Sequence, residues 1–231
     1  MISKSKILII DDEENIRELL SYNLKNNGYD TFCCDNGIDA VNMAKKILPD
    51  LILLDIMLPG IDGYDVCKRI RGDKIIFSTP IIMLTAKHHE FNKILGLEIG
   101  ADDYISKPFS IKDILARVKA LLRRNNLSKS NIIVNYGNLE ADFTKYEVKV
   151  KGKTIDLTIT EFKLLELLIL NNGNVVTREE LLREIWQYEF SVETRLVDAH
   201  IRNLRKKIEV LDERKYIHTI RGVGYKFSVG Q

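Results

Sequence analysis

The chain has 231 residues, and at roughly 100 to 200 residues per domain this length predicts one large domain or two ordinary ones. Apolar residues make up 45% and charged residues 29% of the sequence, a balance that excludes a chain disordered throughout. Lys and Arg total 35 against 33 Asp and Glu, so the net charge of +2 excludes no class of partner by itself.

The sequence indicates neither secretion nor insertion into a membrane. The number of cysteines is odd, and no two of Cys33, Cys34 and Cys67 have C-x-x-C spacing, so we expect reduced thiols. The apolar run 7–10 is too short for the core of a signal peptide, and no apolar stretch approaches the roughly 18 residues of a membrane span. We therefore expect a cytoplasmic protein with no membrane contact.

Short apolar runs alternate with amphipathic stretches from residue 6 to about residue 124. The predicted strands are Lys6–Asp11, Thr31–Cys34, Leu51–Asp55, Ile81–Thr85 and Tyr104–Ser106. The predicted helices are Glu14–Asn27, Ile38–Leu48, Tyr64–Arg71, Phe91–Ile99 and Ile111–Arg124. Strands that are apolar on both faces suit a parallel sheet covered by helices on each side. Residues 1–124 are therefore predicted to form a (βα)5 doubly wound α/β domain, with ligands at the carboxyl ends of its strands.

A polar stretch at 125–131 is predicted to be a linker to a second domain at 132–231. Four short strands are expected there, at Ile133–Tyr136, Leu139–Asp142, Glu147–Val150 and Lys153–Leu157. Three helices follow at Thr160–Asn171, Arg178–Trp186 and Thr194–Val210, and a hairpin pairs Tyr216–Ile220 with Tyr225–Val229. Thr177 and Glu180 have the spacing of a capping box before the second helix. The second domain is thus predicted to be α+β.

Three carboxylates are expected to meet at one edge of the first sheet. Asp11 and Asp12 end the first predicted strand and Asp55 ends the third, and these ends are neighbours in a doubly wound sheet. Like charges at such a site require a cation, and oxygen ligands suit Mg²⁺. Lys107 and Thr85 follow neighbouring strands and would add a cation and a hydroxyl. This set of groups can hold a phosphoryl group, although each residue alone is more often a cap, a turn residue or a solvated side chain.

The first domain resembles the receiver domain of response regulators over residues 4–124. The motifs that carry the resemblance are Ile9–Glu13, Leu54–Gly60, Leu84–Lys87 and Gly100–Phe109. The resemblance implies sheet order 2-1-3-4-5, and a phosphohistidine on a sensor histidine kinase as phosphoryl donor. It implies that Asp55 is the phospho-acceptor and that Thr85 and Lys107 contact the phosphoryl oxygens. The implied ligands of Mg²⁺ are Asp11, Asp12, Asp55 and the backbone carbonyl of Met57.

The resemblance also implies a switch that ends in a homodimer on phosphorylation. Phosphorylation adds nearly two negative charges, which draw Thr85 inward and let Tyr104 swing into the space behind it. The dimer face would comprise Lys93, Glu98, Asp102, Asp103, Asp113, Arg117 and Lys119. Its expected ion pairs between subunits are Lys93 with Asp113, Glu98 with Lys119, and Asp103 with Arg117. Charges on helices are also typical of a merely solvated face.

The basic excess of the chain lies near its C-terminus, where residues 195–231 hold 9 Lys or Arg against 4 Asp or Glu. In the helix from Thr194, one apolar stripe comprises Val197, Ile201, Leu204 and Ile208. The opposite face comprises Arg195, Ala199, Arg202 and Lys206 and would enter the major groove of double-stranded DNA. Arg221 at the hairpin tip would enter the minor groove. This pattern predicts a winged helix-turn-helix domain, although a basic amphipathic helix is also typical of a solvated or membrane-facing surface.

Residues 132–229 resemble the effector domain of the OmpR/PhoB family. The matching segments are Leu157–Leu165, Val176–Trp186, Val197–Lys207 and Ile220–Tyr225. The resemblance implies binding to tandem DNA half-sites, and contact with RNA polymerase through the loop Gln187–Glu193. Leu196 departs from a Thr common in that family, which puts one phosphate contact in doubt.

The sequence as a whole predicts a transcription regulator that phosphorylation of Asp55 activates, and not an enzyme acting on external substrates. One alternative is a Mg²⁺-dependent aspartyl phosphotransferase or phosphatase. The haloacid-dehalogenase pattern of that class needs a second carboxylate two residues after the nucleophile, where this chain has Met57. The other alternative is a protein that binds DNA independently of phosphorylation. The intact pocket argues against it, but only a substitution at Asp55 would decide.

Overall fold

A computed structural model of the chain describes residues 4–86, 99–123, 133–186 and 195–229. The chain divides into two compact units, Met1–Leu122 and Arg123–Gln231. The predicted linker 125–131 lies outside the described residues, so the domain bounds 1–124 and 132–231 stay a prediction. In the described part of the chain, no helix has both the length and the apolar character that crossing a bilayer requires.

The first unit is built on a five-stranded parallel sheet. Its strands are β1 (Lys6–Ile10), β2 (Asp30–Cys34), β3 (Leu51–Asp55), β4 (Ile81–Ala86) and β5 (Asp103–Lys107). They lie in the order β2-β1-β3-β4-β5, as expected. The apolar residues 7–10 of β1 and 51–54 of β3 are fully buried, because a parallel sheet covered on both faces leaves little strand surface to water. The predicted α/β fold and strand order are confirmed.

Four helices of this unit are described: α1 (Glu14–Asn26), α2 (Gly37–Ile47), α3 (Gly63–Arg71) and α4 (Ile111–Arg123). α2 and α3 begin at side-chain caps, since Asn36 accepts from the backbone N–H of Asp39 and Asp62 from that of Asp65. On one face of the sheet, residues of α1 and α4 such as Leu20, Leu24 and Val118 pack into a common core. Of the predicted helix Phe91–Ile99, residues 91–98 lie outside the described ranges.

The second unit combines two antiparallel sheets with three helices. One sheet contains β6 (Ile133–Tyr136), β7 (Leu139–Asp142), β8 (Glu147–Val150) and β9 (Lys153–Thr154), in that order. The helices are α5 (Ile159–Leu170), α6 (Arg178–Trp186) and α7 (Arg195–Ile208). The other sheet has the order β10-β12-β11, with β10 (Val176–Thr177), β11 (Ile217–Ile220) and β12 (Gly224–Phe227). The predicted winged-helix fold is confirmed.

Apart from shifts of one or two residues at the ends of helices and strands, the predicted elements of this unit differ from the structure in two places. The strand expected at Lys153–Leu157 ends at Thr154, because Thr158 caps α5 and the chain must turn before it. Thr158 and Glu161 form a capping box there, and the predicted box of Thr177 and Glu180 is also present. The two-residue strand β10 was not predicted, since so short a segment has no periodicity to detect.

Candidate functional site

The three acidic residues of the first unit meet at the carboxyl edge of its sheet. β1 and β3 are adjacent, with Ile10 opposite Leu54, so the residues that follow or end these strands are brought together. One carboxylate oxygen from each of Asp11, Asp12 and Asp55 lies within 4.8 Å of the others. Asp11 and Asp55 are buried, whereas Asp12 is exposed. The group therefore has two fixed carboxylates in the protein and one side open to solvent.

Lys107, at the end of β5, links the two buried carboxylates. Its Nζ lies 2.8 Å from Oδ2 of Asp55 and 2.9 Å from Oδ2 of Asp11, and 3.6 Å from Oε1 of Glu13. Burial alone would lower the pKa of Lys107, but the hydrogen bonds to Asp11 and Asp55 outweigh it and the net shift is upward. The ammonium group is therefore held in its charged form at neutral pH.

The environment of Asp55 disfavours the charged form of its carboxyl group. Burial raises its pKa above the ordinary value, Lys107 counteracts part of this rise, and the charge of Asp11 adds to it. The backbone N–H of Met57 donates to Oδ1 of Asp55 over 3.3 Å, while the Met57 side chain is exposed. Three carboxylates and one ammonium leave an excess of negative charge, and an open all-oxygen donor set of this kind fits Mg²⁺ with water as the remaining ligands.

Thr85 lies at the same edge of the sheet, one residue before the end of β4. Asp55 is opposite Leu84, and Thr85 follows Leu84 and is 3% exposed. On the other side of β4, Thr85 is opposite Ser106, the residue before Lys107. The structure thus brings together the five side chains that the sequence analysis assigned to this site.

Gly63 is a residue of this site that the sequence analysis did not single out. The first residue of α3, it donates its N–H to the carbonyl of Ile56 over 2.9 Å. A Cβ added at Gly63 would lie 2.2 Å from the carbonyl oxygen of Asp55. Only a residue without a side chain allows α3 to begin this close to the end of β3.

The expected dimer face is only partly described, because Lys93 and Glu98 lie outside the described residues. Arg117 binds within the same chain, to Asp103 over 3.1 and 3.2 Å and to Asp113 over 2.7 Å. Lys119 is exposed, as a contact residue must be. Tyr104 is buried, with 8% of the residue exposed.

Asp102 was wrongly placed on that face. Its side chain is 1% exposed and accepts from Arg71 over 2.7 Å and from the backbone N–H of Ile81 over 2.9 Å. A carboxylate buried by this ion pair cannot reach another subunit. Arg71 also donates to the carbonyls of Gly100, Phe77 and Thr79. The ion pair therefore connects α3 to the segments that precede β4 and β5.

α7 presents three exposed cations, Arg195, Arg202 and Lys206. Its predicted apolar stripe is fully buried, at Val197, Ile201, Leu204 and Ile208. Arg221 is exposed in the turn between β11 and β12, where Gly222 adopts φ +74°. The cationic face of the helix and the hairpin tip therefore have the exposure that a nucleic-acid interface requires.

Ala199 was wrongly predicted on the outer face of α7, since it is only 5% exposed. Because α7 packs against both α5 and α6, its buried arc is wider than one stripe. Leu196, His200 and Asn203 are also buried, so at about 100° per residue the buried arc spans about 200°. Ala199 lies at the edge of that arc, and Leu196 is inside it.

A polar cluster connects the start of α6, the start of α7 and the hairpin. Nε of Arg178 donates to Oδ1 of Asp198 over 2.7 Å, and the hydroxyl of Tyr225 donates to the same oxygen over 2.5 Å. The guanidinium groups of Arg178 and Arg205 lie 4.8 and 5.5 Å from the centre of the Tyr225 ring. Burial and the Asp198 carboxylate raise the pKa of Tyr225 to about 12. The loop expected to contact RNA polymerase lies outside the described residues.

Comparisons with known proteins match both halves of the chain. The family described as "Response regulator receiver domain" matches residues 7–119, and "Transcriptional regulatory protein, C terminal" matches residues 152–227. The alkaline phosphatase synthesis transcriptional regulatory protein PhoP of Bacillus subtilis is 46% identical over 233 residues, which cover 96% of each chain.

Solved structures match the chain over almost its full length. A mutant of RitR has a TM-score of 0.77 and 32% identity, with 98% of this chain and 100% of that chain covered. The response regulator DrrB, a Thermotoga maritima OmpR/PhoB homologue, has a TM-score of 0.52 and 37% identity with the same coverage.

Proposed function

The chain belongs to the OmpR/PhoB family of response regulators and is a phosphorylation-regulated transcription factor, and we propose that Asp55 is the residue whose phosphorylation controls it. Regulators of this family pair with sensor kinases and bind DNA, and they are not conventional enzymes. The contact that carries the proposal is that of Lys107, whose Nζ lies within 2.9 Å of both Asp55 and Asp11.

The residues of the site divide the work of phosphoryl transfer. Asp11, Asp12, Asp55 and the Met57 carbonyl would hold Mg²⁺, which supplies electrostatic stabilisation of the charge on the transferring group. Lys107 neutralises part of the same charge from the side of β5. The Thr85 hydroxyl, at the end of the neighbouring strand, donates to an oxygen of the phosphoryl group once it is attached. Positioning and electrostatics thus suffice, without a general base.

The phosphoryl donor is a phosphohistidine of a sensor histidine kinase. A carboxylate oxygen of Asp55 attacks phosphorus, and the P–N bond breaks as the O–P bond forms. The histidine nitrogen keeps the bonding electron pair and takes a proton from solvent. Slow hydrolysis of the Asp55 acyl phosphate reverses the modification, and these two reactions of its own phosphoryl group are all the catalysis that the domain supports.

Phosphorylation is transmitted through Thr85 and Tyr104 to a homodimer face. The new charge on Asp55 draws the Thr85 hydroxyl toward it, and the Tyr104 ring occupies the space behind Thr85. With Asp102 excluded, the charged residues of the proposed face are Lys93, Glu98, Asp103, Asp113, Arg117 and Lys119. Asp103 and Asp113 bind Arg117 within one chain. Ion pairs of these residues between subunits therefore form only if the bonds within the chain break.

The output is binding of the dimer to tandem half-sites on double-stranded DNA. Arg195, Arg202 and Lys206 would enter the major groove and Arg221 the adjacent minor groove. The loop Gln187–Glu193 would contact RNA polymerase, and the protein would act in the cytoplasm.

Intact-mass spectrometry tests the acceptor residue. The full chain, incubated with Mg²⁺ and acetyl phosphate, should gain one phosphoryl group, and Asp55→Asn should gain none. Asp35→Asn, which changes an exposed carboxylate just after β2, is the matched control and should still be modified. Phosphorylation of Asp55→Asn at the unaltered rate would contradict the proposal.

The same variant separates the two alternative functions. An external phosphatase or phosphotransferase activity requires turnover of a small phosphate ester that Asp55→Asn abolishes. A phosphorylation-independent DNA-binding protein requires equal DNA affinity of the unaltered chain and Asp55→Asn in the presence of the phosphodonor. We expect neither result.

A further inference from the structure

The guanidinium group of Arg17 is folded back over the beginning of its own helix. Arg17 lies in α1, and its backbone N–H donates to the carbonyl of Glu13 over 3.1 Å. Its Nη1 donates to the backbone carbonyl of Asp11 over 2.7 Å and to that of Asp12 over 2.8 Å. One nitrogen therefore holds two consecutive peptide groups of the β1–α1 connection.

This placement is electrostatically unfavourable for the helix alone. A helix N-terminus stabilises anions and disfavours cations, and the N-cap residue Glu13 makes no side-chain capping bond. Capping of α1 does not require Arg17, because its two acceptors are carbonyls of the connection before the helix. The position of the guanidinium is explained by the acidic segment that it fixes.

Asp11 and Asp12 differ in how their carboxylates are held. The Asp11 carboxylate accepts from Lys107 over 2.9 Å and from the backbone N–H of Glu13 over 3.0 Å. Within the four described ranges, no group donates a hydrogen bond to the Asp12 carboxylate. Among the described residues, Arg17 is the side chain that binds the Asp12 backbone, and so it limits where the Asp12 carboxylate can lie.

We infer that Arg17 is a positioning residue for Asp11 and Asp12 as ligands of a divalent cation. The inference rests on the proposed Mg²⁺ site and adds a residue that lies outside its ligand set. Groups that orient ligands in this way change metal affinity by roughly 10- to 100-fold when they are removed.

Charge and geometry make opposite predictions for this residue, which allows a sharp test. A guanidinium group near a cation site repels the cation, so loss of its charge alone should tighten Mg²⁺ binding. Loss of its two hydrogen bonds should weaken Mg²⁺ binding, because Asp12 is no longer held in one direction. The sign of the change in Mg²⁺ affinity therefore distinguishes a positioning role from a charge effect.

The experiment is a calorimetric titration of the full chain with MgCl2 in the absence of a phosphodonor. Arg17→Ala and Arg17→Gln are compared with the unaltered chain, and Arg17→Lys tests rescue by a shorter side chain that keeps the charge and the donor. Lys25→Ala is the matched control, because Lys25 is an exposed cation in the last turn of the same helix. Circular dichroism and thermal unfolding in EDTA report on folding separately from metal binding.

We expect about tenfold weaker Mg²⁺ binding for Arg17→Ala and Arg17→Gln with native circular dichroism, partial recovery for Arg17→Lys, and no change for Lys25→Ala. Equal or tighter binding by both neutral variants would overturn the positioning role while leaving the metal site intact. Absence of binding to the unaltered chain would instead overturn the metal site itself, and the inference with it.

Discussion

Gly63 fixes the distance between α3 and Asp55, the proposed phosphorylation site. A side chain here would meet the carbonyl oxygen of Asp55 at 2.2 Å and the Cα of Ile56 at 2.8 Å. Both contacts are with backbone atoms, which cannot rotate away as a flexible side chain can. The end of β3, and the Asp55 carboxylate with it, would have to shift.

We predict that Gly63→Ala lowers the free energy of unfolding by about 1 to 3 kcal/mol, the typical cost of overpacking. It should also slow phosphorylation by acetyl phosphate, because the Asp55 peptide is displaced. Gly72→Ala is the control, since a Cβ at Gly72 would lie 3.4 Å from its nearest neighbour at the end of the same helix. Denaturant unfolding and intact-mass spectrometry measure the two effects. Native stability and native phosphorylation of Gly63→Ala would contradict this account.

The positions of Asp11, Asp55 and Lys107 could be predicted from the sequence, because each ends or follows a strand and the sheet topology brings strand ends together. The burial of Asp102 could not. Its partner Arg71 is 31 residues away on α3, and no local pattern indicates that contact. Gly63 was missed for the same reason, since a close approach between backbones has no signature in the spacing of side chains.

Tyr225 connects β12 to the first turn of α7. Its hydroxyl and the guanidinium of Arg178 share one carboxylate oxygen of Asp198. This contact fixes the hairpin that carries Arg221 relative to the helix that carries Arg195 and Arg202. The cluster thus sets the spacing between the two predicted DNA contacts.

We predict that Tyr225→Phe weakens binding to duplex DNA about tenfold at fixed salt, a loss of roughly 1.4 kcal/mol. The matched control is Tyr216→Phe, because the hydroxyl of Tyr216 also donates over 2.5 Å to a carboxylate, that of Asp212. Each change should lower the free energy of unfolding by about 1.5 to 3 kcal/mol, as hydrogen bonds to charged groups do. Fluorescence anisotropy and denaturant unfolding measure both quantities. An equal effect of the two substitutions on DNA affinity would show that the cluster contributes only stability.

Most elements were predictable because their periodicity is strong, and the exceptions have local causes. α6 begins at Arg178 and ends at Trp186, as predicted, since its capping box and apolar spacing agree. The width of the buried arc of α7 was not predictable from one stripe, because two helices pack against it. The sequence pattern therefore located α7 correctly but misplaced Ala199.

In the full chain, we propose that phosphorylation of Asp55 in the first unit controls the DNA-binding surface of the second unit through dimerisation. Linking two weak DNA contacts makes the second contact nearly intramolecular, which raises avidity by roughly 10² to 10⁴. Under this proposal, phosphorylation controls DNA binding without any change in the contacts that α7 itself makes.

We predict that Lys119→Glu weakens the dimer formed in the presence of beryllofluoride and Mg²⁺ by about tenfold. Reversing this charge replaces an ion pair between subunits by a repulsion, and twofold symmetry repeats the effect. Lys46→Glu, on an exposed position of α2, is the control and should dimerise normally. Sedimentation equilibrium measures the dissociation constants. Unaltered dimerisation of Lys119→Glu would exclude Lys119 from the interface.

Control of DNA binding by phosphorylation of Asp55 is best tested by comparing tandem with single half-sites, both selected from random duplex DNA. The affinity of the full chain for each site is measured at fixed salt, with and without acetyl phosphate and Mg²⁺. We expect the phosphodonor to raise affinity for the tandem site by at least about 100-fold, to change affinity for the single site little, and to have no effect on Asp55→Asn. An equal increase on both sites, or an increase that survives Asp55→Asn, would contradict control of DNA binding by dimerisation through Asp55.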